Sequence, residues 1–245
     1  MSMRGLFRNL LTPPRPVGFA RPPVAVLAYH DVKDVDRVGS DLYSVSERNF
    51  RRQVAMLARC FEIIAPDRIA GEAAPGRARV VITFDDGHRN NYELAFPVLK
   101  ACGVPAVFFV STAFLDSPGY LRWREVDEMA QAGMIIGSHG HSHADFGALS
   151  PDRTREELAL SHAALQSHRG GAPGDFAYPY GNAANVKDLD RALLRACGYG
   201  RAFVFGGGAF SRLADPFRIP RLMVLDVTAP TLYRQIMTEC RRASQ

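Results

Sequence analysis

Three short apolar runs in this chain each end in a residue able to do chemistry, and that repetition narrows the folds open to it. Val24-Ala25-Val26-Leu27-Ala28-Tyr29 leads to His30, Arg79-Val80-Val81-Ile82-Thr83-Phe84 leads to Asp85 and Asp86, and Gly133-Met134-Ile135-Ile136-Gly137 leads to Ser138 and His139. Short continuous apolar runs read as fully buried strands. Residues 61–64, 106–110, 176–178 and 218–224 have the same character. Helix-like segments fall at about 46–59, 90–101, 124–132, 151–167, 186–196 and 229–241, several closed by a glycine such as Gly103, Gly133 or Gly198. Pro97 lies inside the second of these, where it predicts a kink or an early break. Strands alternating with helices, with reactive groups at strand C-termini, predict an α/β chain folded as a parallel (β/α) barrel.

With 245 residues, 47% hydrophobic and 22% charged, the chain is one globular domain with a full core, and a disordered polymer is excluded. Residues 1–22, rich in arginine and proline, read as a flexible N-terminal arm ahead of a domain spanning 23–245. The net charge of +5 suits an anionic partner or reflects a generally basic proteome. No basic run is interleaved with aromatics, so nucleic acid is not expected as a partner. Cys60, Cys102, Cys197 and Cys240 are scattered, without a Cys-x-x-Cys, and read as reduced, part-buried thiols. The start has basic residues but no sustained apolar stretch, Pro13, Pro14 and Pro16 interrupt it, and no run of membrane-spanning length occurs elsewhere. These features predict a cytoplasmic chain, with peripheral membrane contact open to its N-terminus.

Two adjacent carboxylates in an apolar setting repel each other unless a cation or proton lies between them. The complementary donors stand at Ser138-His139-Gly140-His141-Ser142-His143, where three histidines fall within five residues. His139 and His143 are four apart, which places both imidazoles on one side of a helical turn. Two imidazoles and one carboxylate make a three-donor site with an open position, the pattern of a catalytic metal. Zinc is the simplest occupant. His141 is an alternative ligand with a poorer interval, and spacing alone does not say which of Asp85 and Asp86 is the ligand. Asp145 reads as an acceptor that orients a histidine or as a surface group, and His88 and Asn91 as cleft residues or helix caps. Trp123 reads as a packing residue, and His162 and His168 as solvent-facing.

Thr83-Phe84-Asp85-Asp86-Gly87, His139-x-x-x-His143 and Phe176-Ala177-Tyr178-Pro179-Tyr180-Gly181, in that order, resemble the first three motifs of the polysaccharide deacetylases, carbohydrate esterase family 4. The resemblance covers residues 24–225 in outline. It implies a distorted barrel of seven parallel strands and metal-dependent removal of an N-acetyl group from an amino sugar, in a glycan, a lipid-linked saccharide or a small glycoside. It further implies Asp86, His139 and His143 as metal ligands, Asp85 as general base, and the Tyr180 backbone N–H as oxyanion donor, with Pro179 of the third motif beside the substrate, where His88 would join it if it is a cleft residue.

The chain departs from the family pattern twice. The late motif that supplies a proton-donating histidine has none here, at Leu222-Met223-Val224-Leu225-Asp226, and His30 is the candidate replacement; Tyr29-His30 on a first strand resembles a circularly rearranged subgroup. The arginine that orients the base in the third motif is replaced by Ala177, and Arg221 is the candidate substitute. Ala144 stands where a proline is common, a neutral change. Two other readings remain: the same metal site acting on a non-sugar amide or imide, and a catalytically silent glycan-binding domain.

Overall fold

The computed structural model describes residues 17–245 apart from 36, 37, 40, 72, 170, 172, 183–185, 188 and 189. Most of the expected N-terminal arm, residues 1–16, lies outside the described residues, as does Gly170. Gly18–Phe19 pairs antiparallel with Gly76–Arg77, which ties the end of that arm to the foot of the barrel.

Seven parallel strands form the barrel: β1 (Val24–Tyr29), β2 (Arg79–Phe84), β3 (Val107–Val110), β4 (Ile135–Ser138), β5 (Asp175–Ala177), β6 (Arg201–Phe205) and β7 (Ile219–Met223). They follow one another around the ring in chain order, and β1 closes it by pairing with both β7 and β2. The β1–β2 pairing is the longest, running from Val24 opposite Arg79 to Tyr29 opposite Phe84. The distortion lies beyond β2. Glu62–Ile63 pairs with its first residues, Arg79 and Val80, whereas β3 pairs with its last, Thr83 and Phe84.

Around the barrel pack α1 (Glu47–Cys60), α2 (Phe96–Cys102), α3 (Trp123–Gln131), α4 (Pro151–Arg169), α5 (Asp190–Ala196) and α6 (Ala229–Arg242). The break expected at Pro97 takes a definite form: Asn91–Ala95 make a π-helical turn, and Pro97 then sits in the first turn of α2, where its missing N–H costs no hydrogen bond. Of the helix expected over 186–196, α5 covers Asp190–Ala196, Val186 and Lys187 are outside it, and 188 and 189 lie outside the described residues. One strand was not expected, β6, because its five residues are framed by Gly198 and Gly200 before and Gly206 to Gly208 after, which read as loop. A two-stranded parallel sheet of Asp31–Lys33 and Ser44–Ser46 was also not expected.

Strand alternation sorts the apolar residues into two layers. Ala25, Leu27, Val80, Ile82, Phe84, Phe108 and Ile136 face outward against the helices, with Phe50, Val54 and Leu57 of α1 in the same cluster. Val24, Val26, Val81, Val107, Phe109, Ala177, Phe203 and Ile219 fill the barrel interior. Gly137 belongs to the interior set of β4, and a Cβ there would lie 2.5 Å from the Phe109 ring; the glycine makes room for that phenyl group. Extending the inward parity to the strand ends selects His30, Asp85, His139, Phe205 and Arg221.

Candidate active site

The four described non-glycine residues with positive φ are Asp86 (71°), Asp116 (65°), His143 (57°) and Tyr180 (61°), and three of them are site candidates. Backbone held in this region against the preference of a side chain concentrates at functional sites. At Asp86 the reversal, continued by Gly87 at φ 78°, overrides strand alternation and lets two consecutive carboxylates serve one cavity. The Gly87 N–H donates to the Asp85 carbonyl at 2.9 Å and the Leu121 N–H to that of Gly87 at 2.9 Å, which fix the turn.

Asp85 is fully buried, and its backbone N–H donates to the Tyr29 carbonyl at 3.0 Å. Arg221, 1% exposed, donates through Nη1 to Asp85 Oδ1 at 2.6 Å and to Thr83 Oγ1 at 3.2 Å, and through Nη2 to Asp85 Oδ2 at 2.8 Å. The guanidinium lies over the Phe205 ring at 4.5 Å. Burial alone would push the Asp85 carboxyl up, but Arg221, His139 and His30 outweigh it and hold the group below the usual carboxylate range. His30 is buried, its Nε2 3.8 Å from Asp85 Oδ2 and its ring stacked on Phe205 at 5.7 Å. Burial lowers its pKa against the pull of Asp85 and Asp86, so the resting imidazole is neutral. Asn91, expected as a cleft residue or cap, is instead buried beneath His30 and donates to its carbonyl at 2.7 Å.

Asp86 meets both histidines of the second motif: its Oδ1 is 3.4 Å from His139 Nε2 and 3.1 Å from His143 Nε2. One donor atom from each of Asp86, His139 and His143 lies within 4.8 Å of the others. The interval of four does not act through a helical turn as expected. Residues 139–144 are a loop, curled by left-handed backbone at Gly140 and His143. His139 Nδ1 is 2.8 Å from the Ala177 carbonyl, which can only accept, so Nδ1 carries the hydrogen and Nε2, which faces Asp86, is the nitrogen left with a lone pair when the ring is neutral. Burial works against protonating His139, but Asp85 and Asp86 prevail and raise its pKa.

The remaining candidates separate. His88 Nε2 is 3.3 Å from Asp86 Oδ2 and its Nδ1 3.7 Å from Asp31 Oδ1, with the ring stacked on Tyr120. Tyr180 is 57% exposed, its ring 5.0 Å from that of His143. Pro179 is buried next to the histidine loop, where a Cβ at Gly140 would lie 3.8 Å from its ring. His141 is 2.8 Å from Thr112 Oγ1 through Nδ1 and is not in the donor cluster. Asp145 is exposed and accepts the Gly147 N–H. Trp123 packs against the core and against His168, whose Nε2 lies 3.0 Å from Asp127 Oδ2; His162, expected in solvent, is half-buried edge-on against Tyr199. The four cysteines are unpaired, as expected.

Sequence reasoning missed Glu157. This α4 carboxylate is 5% exposed and accepts the N–H groups of His141 and Ser142, both at 2.9 Å, and the Ser142 hydroxyl at 2.7 Å, clamping the loop between the two histidines. Its signal lay in the buried stripe of α4, Thr154, Glu157, Leu158, Ser161 and Leu165, which is polar at three of five places.

Fold and donor set together define a (β/α) barrel with an Asp-His-His cluster at the C-terminal mouth of its strands. Comparison with known proteins specifies the class. The family model described as polysaccharide deacetylase matches residues 72–201, more than half of the 245-residue chain, and the chain belongs to that family. YxkH of Bacillus subtilis (strain 168) is 27% identical over 206 residues, covering 81% of this chain and 70% of that protein. The poly-beta-1,6-N-acetyl-D-glucosamine N-deacetylase of Staphylococcus epidermidis is 26% identical over 211 residues, covering 79% and 72%. The fold matches that of the Streptococcus pyogenes deacetylase PplD, solved with acetate, with a TM-score of 0.80 at 22% identity over 87% of this chain and 98% of that one.

Proposed function

We propose that the chain is a metal-dependent hydrolase that removes the N-acetyl group of an amino sugar in a glycan, a lipid-linked saccharide or a small glycoside. The observation that carries this reading is the Asp86 oxygen 3.1 and 3.4 Å from two imidazole nitrogens, one of which, His139 Nε2, presents a lone pair once the ring is neutral. Such a cluster needs a positive charge at its centre, a proton on the imidazole or a cation in its place, and donors bound to a tetrahedral cation at about 2.0–2.1 Å lie roughly this far apart. Asp86, His139 and His143 thus fit a divalent cation, zinc first. When bound, such an ion supplies Lewis acidity, polarising a carbonyl and acidifying water.

The chain's own residues do the rest. Asp85, kept anionic by Arg221, is the general base; each of its oxygens keeps a lone pair beyond the one Arg221 uses. The bidentate guanidinium fixes the plane of that carboxylate, the task left vacant at Ala177, which also faces the interior. His30 enters neutral, takes a proton within the cycle from the Asp85 side, 3.8 Å away, and delivers it to the departing amine. The Tyr180 N–H is assigned to the oxyanion of the tetrahedral intermediate, and His88 and Pro179 to the surroundings of the substrate. The Staphylococcus epidermidis relative is named for poly-β-1,6-N-acetyl-D-glucosamine, which makes that polymer the first substrate to try. The test is acetate release from β-1,6- and β-1,4-linked N-acetylglucosamine oligomers, with simple amides and cyclic imides in parallel, before and after chelation. Chelator-sensitive release from a saccharide is expected. Release from amides alone, or from nothing, contradicts the reading.

A further inference from the structure

We infer that Tyr43 forms a saccharide-stacking subsite on the rim of the barrel mouth, across the site from Tyr180; this rests on the proposed action on a glycan. Tyr43 and Tyr180, each 57% exposed, are the exposed aromatic side chains among the described residues, and each touches a site histidine. The Tyr43 ring is 5.1 Å from that of His30 and the Tyr180 ring 5.0 Å from that of His143. His30 follows β1 and Tyr180 follows β5; β6 and β7 lie between these strands one way round the ring, and β2, β3 and β4 the other. The two phenol rings therefore flank the Asp85–Asp86 centre from well-separated parts of the rim.

Tyr43 is not a stray loop residue. Its carbonyl accepts the Asp31 N–H at 3.1 Å, directly after His30, and its own N–H donates to Asp41 Oδ1 at 3.0 Å. The other Asp41 oxygen accepts from Lys33 Nζ and Ser44 Oγ, both at 2.6 Å. The backbone is pinned on both sides while the ring is left to solvent, next in sequence to exposed Leu42. Held aromatic surface at the mouth of a site marks a binding face. A pyranose ring offers an apolar face of C–H groups, which an aromatic ring accepts without demanding any one hydrogen-bonding pattern. Tyr43 is thus suited to a sugar unit next to the one being deacetylated.

The test is kcat/KM for acetate release from mono-, di- and tetrasaccharides of N-acetylglucosamine by metal-loaded wild type, Tyr43→Ala and Tyr43→Trp. The loss in Tyr43→Ala is expected to grow with chain length, from about twofold on the monosaccharide to about tenfold on the tetrasaccharide, carried by KM, and Tyr43→Trp is expected to recover it. An equal loss at every length would mean that Tyr43 acts only through His30 and overturns the inference, as does no loss at all. Unchanged kcat/KM at every chain length in Tyr43→Ala, together with lost binding of that variant to phosphatidylglycerol vesicles, also overturns it and assigns the rim to a lipid surface. If wild type releases acetate from no saccharide, the proposed function falls and the subsite with it; a length-independent effect in an active enzyme removes the subsite alone.

Discussion

Arg221 and Asp85, 136 positions apart in sequence, share two parallel hydrogen bonds of 2.6 and 2.8 Å inside the barrel, both residues shut off from solvent. The pair joins β7 to the end of β2. A buried bidentate contact of this kind cannot be kept by lysine, which offers a point charge in place of a planar fork. Arg221→Lys is expected to lower kcat by about a hundredfold with KM little changed, and Arg221→Ala to cost about 3–5 kcal/mol of stability by leaving a buried carboxylate unpaired. Steady-state kinetics and denaturant titration check these outcomes; wild-type kcat in Arg221→Lys would remove Arg221 from the mechanism.

The Glu157 carboxylate holds the loop from His141 to Ser142 by three hydrogen bonds. Glu157→Ala is expected to weaken cation affinity about 10–100-fold, as loss of groups that orient metal ligands generally does. Competition with a chromogenic chelator measures it, and Glu157→Asp should recover part of the affinity. Unchanged affinity would show that the loop keeps its shape unaided.

Cation binding should release protons. Asp85 and Asp86 raise His139 above its ordinary value of 6.5 despite burial, so the ion-free protein carries protonated His139 to higher pH than a free imidazole would. Affinity therefore falls as pH is lowered through this range and rises as His139 deprotonates. The sign reverses for the ion-free fold: a raised pKa contributes stability that is full below 6.5 and lost as pH rises through the folded value. Calorimetry of zinc binding at pH 7 in buffers of different ionisation enthalpy reads the proton count. Net proton release is expected, and none would contradict the assignment of His139.

Gly137→Ala tests the packing beneath the site. The added methyl would lie 2.5 Å from the Phe109 ring and 3.1 Å from the Asp175 carbonyl, so either the interior or the strand must shift. A loss of about 1–3 kcal/mol is expected, read as a lowered Tm. A Tm equal to wild type would mean that Phe109 has room to turn away.

Much of the barrel and of its site was legible in the sequence because both rest on local rules. Buried strands are continuous apolar runs, and strand-end residues are the ones presented to the mouth, so His30, Asp85 and His139 could be picked from position alone. β6 was hidden by flanking glycines, although Phe203 fills the interior as fully as any residue of a clearer strand. What no local rule supplies is which distant side chain faces which. Arg221 was a candidate because the resemblance calls for an arginine that Ala177 does not supply, and only closure of β7 against β1 brings its fork to Asp85. Glu157 was invisible for the same reason: its partners are backbone N–H groups of another segment. The positive φ of His143 likewise belongs to the folded loop and replaces the helical turn that the interval of four implied.

The account depends most on one cation held jointly by Asp86, His139 and His143. The direct measurement is titration of metal-stripped protein with zinc, following bound ion and acetate release from an N-acetylglucosamine oligomer in the same samples. Activity is expected to start near zero, rise in proportion to zinc and level off at one ion per chain, with neither binding nor activity in a variant carrying His139→Ala and His143→Ala. Full acetate release before any zinc is added, or saturable zinc binding that survives in that variant, would contradict it.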